Sequence, residues 1–343
     1  MDMRILVTGG TGFIGSHTVV ELQQAGYNVV IADNLINSNI EVLDGIENIT
    51  GVRPAFEKVD LTDITATKEI FKKHKDITAI IHFAALKAVG ESVGKPLEYY
   101  GNNINSIINM LTCMREFDVR NFVFSSSCTV YGQADVLPVT EQTPKKKAES
   151  PYGNTKAICE DIMNDFAFAE NQFKMIALRY FNPIGAHPSS QIGELPNGTP
   201  NNLIPYITQT VAGIRKELSV FGNDYNTPDG TPIRDYIDIV DLAKAHVTAI
   251  QRLIDNKNKS NIEYFNIGTG TGVSVLELIE TFEKATGRKV PYKITARRAG
   301  DIEKIWADTT FANRELGWKA EVPLSESLLN AWKWQEKLGS LKL

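Results

Sequence analysis

Arg4-Ile5-Leu6-Val7-Thr8-Gly9-Gly10-Thr11-Gly12-Phe13-Ile14-Gly15 decides how the rest of the chain is read. Arg4 to Val7 is a short, mostly apolar run, which suits a buried strand. A glycine-rich turn follows, and a helical pattern then carries Val19, Val20 and Leu22 as far as Ala25. Gly26 stops it, Tyr27 to Ala32 reads as a second strand, and Asp33 stands at that strand's end. Strand, glycine turn, helix, strand and acid, in that order, make a βαβ unit of the dinucleotide-binding kind. Gly9 permits the tight turn, Gly12 lets backbone amides approach a diphosphate, and Gly15 lets the helix pack against the sheet. Phe13 and Ile14 open the helix whose N-terminus faces the phosphates, so they join the cofactor set. Asp33 can accept hydrogen bonds from an adenosine ribose and would repel a 2′-phosphate, which favours NAD over NADP. The competing reading is a glycine turn with no ligand; the strand before it and the acid after it weigh against that.

Outward from this unit the alternation continues. Ala55 to Val59 reads as a strand ending at Asp60-Leu61, Thr65 to His74 as a helix, and Thr78 to Phe83 as a fourth strand. Leu97 to Phe117 reads as a long helix, Asn121 to Phe124 as a fifth strand ending in Ser125-Ser126-Ser127, and Met175 to Leu178 as a sixth. Candidate ligand groups fall at the C-terminal strand ends, where open parallel sheets bind ligands. The expected fold is α/β, a doubly wound parallel sheet with a smaller mixed α/β substrate domain. Pro, Gly and Asn crowd the stretch from Pro183 to Asn202, which predicts loops. Asp241 to Leu253 is again a clean helix, and Glu263 to Ile267 a strand. The expected organisation is therefore interleaved: 1–182 plus 237–269 bind the dinucleotide, and 183–236 plus 270–343 bind the substrate.

The 343 residues are 43% hydrophobic, enough for a large core. Net charge is −5, from 36 basic and 41 acidic residues, and no basic run suggests nucleic acid. Lys145-Lys146-Lys147 is the longest basic cluster and reads as a solvated loop. No apolar stretch is long enough to span a bilayer, and the N-terminus enters a strand rather than a signal peptide. Cys113, Cys128 and Cys159 are too few and too scattered for a disulfide framework or a zinc site, and five scattered histidines do not change that. A reducing cytoplasm and no metal are expected.

Ser150-Pro151-Tyr152-Gly153-Asn154-Thr155-Lys156 places Tyr152 and Lys156 four apart, one turn apart on one helix face. A tyrosine is a poor base because its ordinary pKa is about 10. A lysine ammonium nearby favours the phenolate, and a positive nicotinamide adds to it. The expectation is a Tyr152 pKa lowered by about two to three pH units, roughly 3–4 kcal/mol of differential stabilisation. The spacing alone is common in ordinary amphipathic helices. With Ser127 on the same sheet edge and a dinucleotide beside it, the set suits hydride removal from a secondary alcohol, with Tyr152 as acid and base.

The Thr-Gly-x-x-Gly-x-x-Gly start and the Ser, Tyr-x-x-x-Lys set resemble the extended short-chain dehydrogenase/reductase superfamily. His82 to Ser92, Phe124 to Gly132, Arg179 to Pro188, Pro200 to Tyr206, Phe221 to Tyr225 and Arg234 to Ile237 sharpen this to a resemblance to the UDP-glucose 4-epimerase family, nearly end to end. The resemblance implies that Asp33, Asn34, Asp60 and Leu61 hold the adenosine half of NAD. Phe83 and Lys87 would line the cofactor, and Asn102, Tyr180 and Phe181 would complete the nicotinamide side. Lys87 would lie near the ribose and diphosphate of the cofactor and also serve the substrate, and Asn182, Asn202, Leu203 and Phe221 would meet the substrate nucleotide. Arg234 and Arg298 would face the diphosphate, which suits arginine's forked permanent charge, and Asp301 its ribose. Taken singly, these arginines read as solvated charges, and Asp60 and Asp301 as turn or cap residues. His82 reads as a packed core residue and Cys128 as a small buried filler.

The implied reaction is reversible 4-epimerisation of a UDP-hexose through a bound 4-keto sugar, with NAD tightly bound and regenerated in each turnover. A homodimer is expected through exposed helices of the first domain. One departure concerns Ile305, which stands in Arg297-Arg298-Ala299-Gly300-Asp301-Ile302-Glu303-Lys304-Ile305-Trp306 where many family members carry tyrosine. That position borders the sugar's 2-substituent in the family, and smaller residues there go with N-acetyl sugars. Isoleucine is smaller but stiff at Cβ, so UDP-hexose turnover with some UDP-N-acetylhexosamine turnover is expected. A nucleotide-sugar 4,6-dehydratase would need an added acid and base, and Ser126-Ser127-Cys128-Thr129 offers no carboxylate. A net 4-ketoreductase or dehydrogenase would use the same three residues and differ in its cofactor balance. A non-catalytic NAD-binding module would have no need of the Tyr–Lys pair.

Overall fold

The computed structural model describes residues 3–298 and 301–340. The chain begins as strand β1 (Arg4–Thr8), helix α1 (Phe13–Gln24), β2 (Asn28–Asp33), α2 (Val42–Thr50), β3 (Ala55–Lys58), α3 (Ile64–Lys73) and β4 (Ile77–His82). It continues through α4 (Val89–Gly94), α5 (Pro96–Phe117), β5 (Asn121–Ser125), α6 (Pro151–Ala169) and β6 (Lys174–Tyr180). Then come β7 (Asn182–Ile184), α7 (Leu203–Val211), β8 (Leu218–Phe221), β9 (Ile233–Asp238), α8 (Ile239–Ile254) and β10 (Ile262–Ile267). The chain closes with β11 (Gly272–Ser274), α9 (Val275–Thr286), β12 (Tyr292–Thr295), β13 (Lys304–Ile305) and α10 (Leu324–Ser340).

Seven strands form one sheet in the order β10-β6-β5-β4-β1-β2-β3. Every neighbouring pair in it is parallel. The order reverses between β1 and β4, which opens a crevice at their C-terminal ends. Alternation along β1 divides the core. Ile5 and Val7 pack on one face with Val19, Val20 and Leu242, while Leu6 packs on the other with Ile107, Met110 and Phe122. A strand covered on both faces needs apolar residues at every position, and β1 reads that way.

β10 reaches this sheet from beyond α8 and pairs with β6 from Ile262↔Met175 to Ile267↔Tyr180. A smaller mixed sheet is built around β9. Its first half pairs with β11 antiparallel and β13 parallel, and its second half pairs with β7 parallel. β8 and β12 form a separate parallel pair. Ile184, Ile207, Phe282 and Trp332 share a core cluster beneath these elements.

Some elements differ from the sequence reading. α2 and α4 escape it because both are short and carry glycine, which weakens a helical pattern. The stretch after Asn182 is not all loop: β7 and an Ala186↔Gly193 bridge lie within it. No helix among the described residues is long and apolar enough to cross a membrane.

Candidate active site

The glycine turn forms one wall of an open cleft at the β1/β4 switch point. Gly9 has φ +68°, and a Cβ on it would lie 2.7 Å from Ala84 N. A Cβ on Gly15 would lie 2.2 Å from Gly9 O. The close approach at Gly15 is thus to the loop's own carbonyl rather than to the sheet. The first turn of α1 folds back on the glycine turn, leaving a backbone-lined cradle that suits a diphosphate.

Phe13 and Ile14 line this cleft beside the glycines. Asp33 is buried at the end of β2. Its carboxylate accepts from Leu35 N at 2.9 Å, Thr11 N at 3.3 Å and Ser38 Oγ at 3.2 Å. Asn34, Asp60 and Leu61 line the same end. Asp60 Oδ1 accepts from Thr62 N at 2.9 Å and Thr62 Oγ1 at 2.8 Å. Ser38, which the sequence reading missed, also meets Thr11 Oγ1 at 2.8 Å. A polar Asn37-Ser38-Asn39 loop just past the acid was the available signal.

Phe83, Lys87, Asn102, Tyr152, Lys156 and Tyr180 line the cleft toward the ends of β4, β5 and β6. Ser150 caps α6 by accepting from Gly153 N at 3.1 Å, with Pro151 at the first helical position. That cap fixes Tyr152 in the first turn. Lys156, one turn on, donates from Nζ to Ser125 O at 2.7 Å, and Ser125 Oγ meets Tyr180 OH at 2.8 Å. Ser125 is therefore a hub that sequence reasoning passed over in favour of Ser127. Ser127 is buried, and its Oγ accepts from Thr129 N at 3.2 Å. Asn102 Nδ2 donates to Asn103 Oδ1 at 2.9 Å, and Asn103 Nδ2 reaches Thr155 Oγ1 at 2.9 Å, tying α5 to α6.

Burial sets the electrostatics that the chain's own groups impose here. Burial pushes the Tyr152 phenol well above its ordinary value, Tyr180 adds to this, and the Ser127 hydroxyl pulls the other way. Burial also brings Lys156 down to about 8, against which Cys159 and Glu160 act. The lysine nitrogen lies 5.9 Å from the Tyr152 ring centre and is turned to the Ser125 carbonyl. Desolvation of the phenolate outweighs the lysine's attraction, so the chain's own groups leave Tyr152 a weak acid. His82 is packed as read: it is buried, held near pKa 3 by desolvation, and its Nδ1 lies 2.8 Å from Thr8 Oγ1. The Cys128 thiol is also buried and pushed up to about 12 by desolvation.

The remaining candidates are not among the residues that line this cleft. Asn182 begins β7, Asn202 and Leu203 open α7, and Phe221 ends β8, partly exposed. Asn202 Nδ2 donates to Glu194 Oε1 at 2.6 Å, and Lys87 Nζ lies 4.0 Å from the same oxygen. Glu194, unmarked by any motif, thus links Lys87 of the cleft lining to the start of α7. Arg234 pairs with Asp301. A Cβ on Gly90 would lie 3.0 Å from Arg298 Nη2, so that guanidinium rests over α4. Phe181 and Ile305 are buried in one cluster with Cys128, Val130 and Val139, directly behind the Ser127 turn. Ala299 and Gly300 of the arginine run lie outside the described residues. No group of three or more metal-ligating side chains is found among the described residues.

The family model described as GDP-mannose 4,6 dehydratase matches residues 6–330. A UDP-glucose 4-epimerase of Bacillus subtilis is 50% identical over 333 residues, covering 97% of each chain. The chain belongs to the UDP-glucose 4-epimerase family. The epimerase of Bifidobacterium longum, solved with NAD+ and UDP, superposes with a TM-score of 0.93 at 46% identity over 98% of both chains. That of Stenotrophomonas maltophila, solved with NAD and formylated UDP-arabinopyranose, gives 0.95 at 48% identity over 99% of both.

Proposed function

We propose that the chain interconverts UDP-galactose and UDP-glucose by NAD-dependent 4-epimerisation through a bound 4-keto sugar. The observation that carries this is the convergence of the Tyr152–Lys156 pair and the glycine cradle on one cleft. Gly9, Gly12, Phe13, Ile14 and Gly15 would receive the diphosphate of NAD, Asp33, Asn34, Asp60 and Leu61 its adenosine half, and Phe83, Asn102, Tyr180 and Phe181 the nicotinamide side. NAD, when bound, supplies a two-electron acceptor at C4 that is restored within each turnover, and its positive ring favours the Tyr152 phenolate.

Tyr152 takes the proton of the sugar 4-hydroxyl and later returns one to the opposite face. Ser127 steadies the reacting oxygen, and Lys156 supplies the positive charge that the phenolate needs. Lys87, Arg234 and Arg298 anchor the diphosphate, Asn182, Asn202, Leu203 and Phe221 the nucleotide, and Asp301 the ribose. Firm anchoring of UDP leaves the sugar free to turn between its two faces. Ile305 leaves more room than tyrosine beside the Ser127 turn, which supports some turnover of UDP-N-acetylhexosamines.

The division of labour follows the interleaved chain, with 1–182 plus 237–269 for NAD and 183–236 plus 270–343 for the UDP-sugar. A homodimer is part of the same reading, supported by Leu97 on α5 and Phe168 on α6, which are 80% and 93% exposed. A reducing cytoplasm suits three buried free cysteines. The deciding experiment incubates purified protein with UDP-galactose and, separately, UDP-N-acetylgalactosamine, with no cofactor added, and follows the sugar protons by NMR. Epimer formation without NADH in solution is expected. Conversion to a 4-keto sugar with matching release of NADH, and only when NAD is supplied, would make the chain a net dehydrogenase, the ketoreductase reaction run in reverse.

A further inference from the structure

Tyr152, Lys156 and Glu160 recur every four residues along α6, and all three are buried. The first two face the cleft. Glu160 faces away, into a polar network that the reaction as described does not use. Its carboxylate takes a fork from Arg179, with Nε to Oε1 at 2.9 Å and Nη2 to Oε2 at 2.8 Å. Ser126 Oγ donates to Oε1 at 2.6 Å, and Lys145 Nζ lies 3.5 Å from Oε2. Arg179 Nη1 donates onward to Tyr131 OH at 3.0 Å. Arg179 precedes Tyr180, Ser126 precedes Ser127, and Glu160 follows Lys156 by one turn. One ion pair therefore joins the ends of β5 and β6 to α6, the three elements that carry the proton-transfer groups.

A buried ion pair is a weak source of stability, because apolar residues of similar volume often do as well. Its placement is better explained by what it does to its neighbours. We infer that Glu160 is a positioning residue for proton transfer, steadying the Ser127 turn through Ser126 and keeping an anion one turn from Lys156 so that the ammonium form persists. This rests on the reading of Tyr152 and Lys156 as the proton-transfer pair.

The surroundings of Lys156 leave Glu160 as its main anion. Tyr152 and Cys159 share its helix, and β5 offers the Ser125 carbonyl and the Phe124 ring, 4.8 Å from Nζ. His82 faces it from β4 and is held neutral by burial, while Tyr180 on β6 and Tyr99 on α5 face Tyr152. Cys159 carries a raised thiol pKa, near 11, and stays neutral at pH 7. Around Glu160 itself stand Arg179 and Lys145, then Tyr131, Tyr264 and Asp161 beyond them.

The test compares Glu160→Gln with Arg179→Gln, following the Lys156 amine by NMR of selectively labelled lysine and the alkaline limb of kcat/KM. Glu160→Gln removes the anion and leaves a guanidinium, so Lys156 should lose its proton about one pH unit lower. Arg179→Gln leaves the carboxylate with only the partly exposed Lys145 cation beside it, so Lys156 should hold its proton to higher pH. A pair that only braces the fold would move both variants in the same direction, and that result overturns the inference. Should a single variant not fold, the double variant Glu160→Gln/Arg179→Gln carries no lone buried charge. A downward shift of Lys156 there supports the inference, and an unshifted Lys156 overturns it. The NMR titration needs no turnover, so a shifted Lys156 in a protein that epimerises nothing would count against the catalytic reading alone.

Discussion

Tyr152 and Lys156 begin with the wrong charges for their proposed work: the phenol is held protonated by burial and the amine is brought down toward neutrality. Tyr152→Phe should lower turnover by about 10²–10⁴-fold while leaving UDP affinity by calorimetry unchanged. A folded variant with undiminished turnover would remove Tyr152 from the mechanism. Turnover should also fall as pH rises through about 8, where Lys156 loses its proton. Stability should respond the other way. The lysine's folded value lies below its unfolded value of about 10.4, so between those values the unfolded chain binds more protons and this residue's contribution rises with pH. The gain over that window is on the order of 3 kcal/mol, readable by comparing urea unfolding of the parent and Lys156→Met across pH 7–11. At Ile305, packed behind the Ser127 turn, Ile305→Tyr should reduce the ratio of UDP-N-acetylgalactosamine to UDP-galactose turnover. Equal ratios in variant and parent would remove Ile305 as a gatekeeper.

At the scale of elements, caps decide where side chains are delivered. Ser150 starts α6 two residues before Tyr152. Ser150→Ala should cost about 1 kcal/mol of stability and lower turnover as well, because the first turn that frays carries the base. Ser274 heads a capping box on α9, with Ser274 Oγ accepting from Glu277 N at 3.0 Å. Ser274→Ala should cost a similar amount in thermal melting with kcat unchanged. Long elements were legible in the sequence: α5 was expected from Leu97 to Phe117 and begins at Pro96. α2 and α4 were not, since six to nine residues holding a glycine give too few turns for a period to show.

At the scale of the molecule, a buried acid helps to join the two sheets. Asp235 on β9 accepts from Thr269 N at 2.8 Å, Thr269 Oγ1 at 2.7 Å, Gly270 N at 3.1 Å and Ala307 N at 3.2 Å. It thereby ties the turn after β10, which belongs to the large sheet, to the strand that ends in Ile305. Asp235→Ala would leave several buried donors unmet, and should lower the free energy of urea unfolding by roughly 3 kcal/mol or more. It should weaken UDP binding too, because Arg234 and Ile305 share that strand pairing.

The parallel sheet, the glycine cradle, Asp33 and the Tyr–Lys pair could be read from the chain because each is a local pattern. A strand run, a turn that needs φ above zero and a four-residue helical spacing are set by neighbours in sequence. What lay beyond that reading depends on groups far apart in the chain. Glu160 with Arg179, Glu194 between Lys87 and Asn202, and Ser125 beneath Lys156 acquire their partners only when separate elements pack. The burial of Tyr152 and Lys156 belongs with them: spacing puts a lysine beside the tyrosine, but only the folded protein shows how completely water is excluded from both, which opposes the phenolate until a bound positive group offsets it.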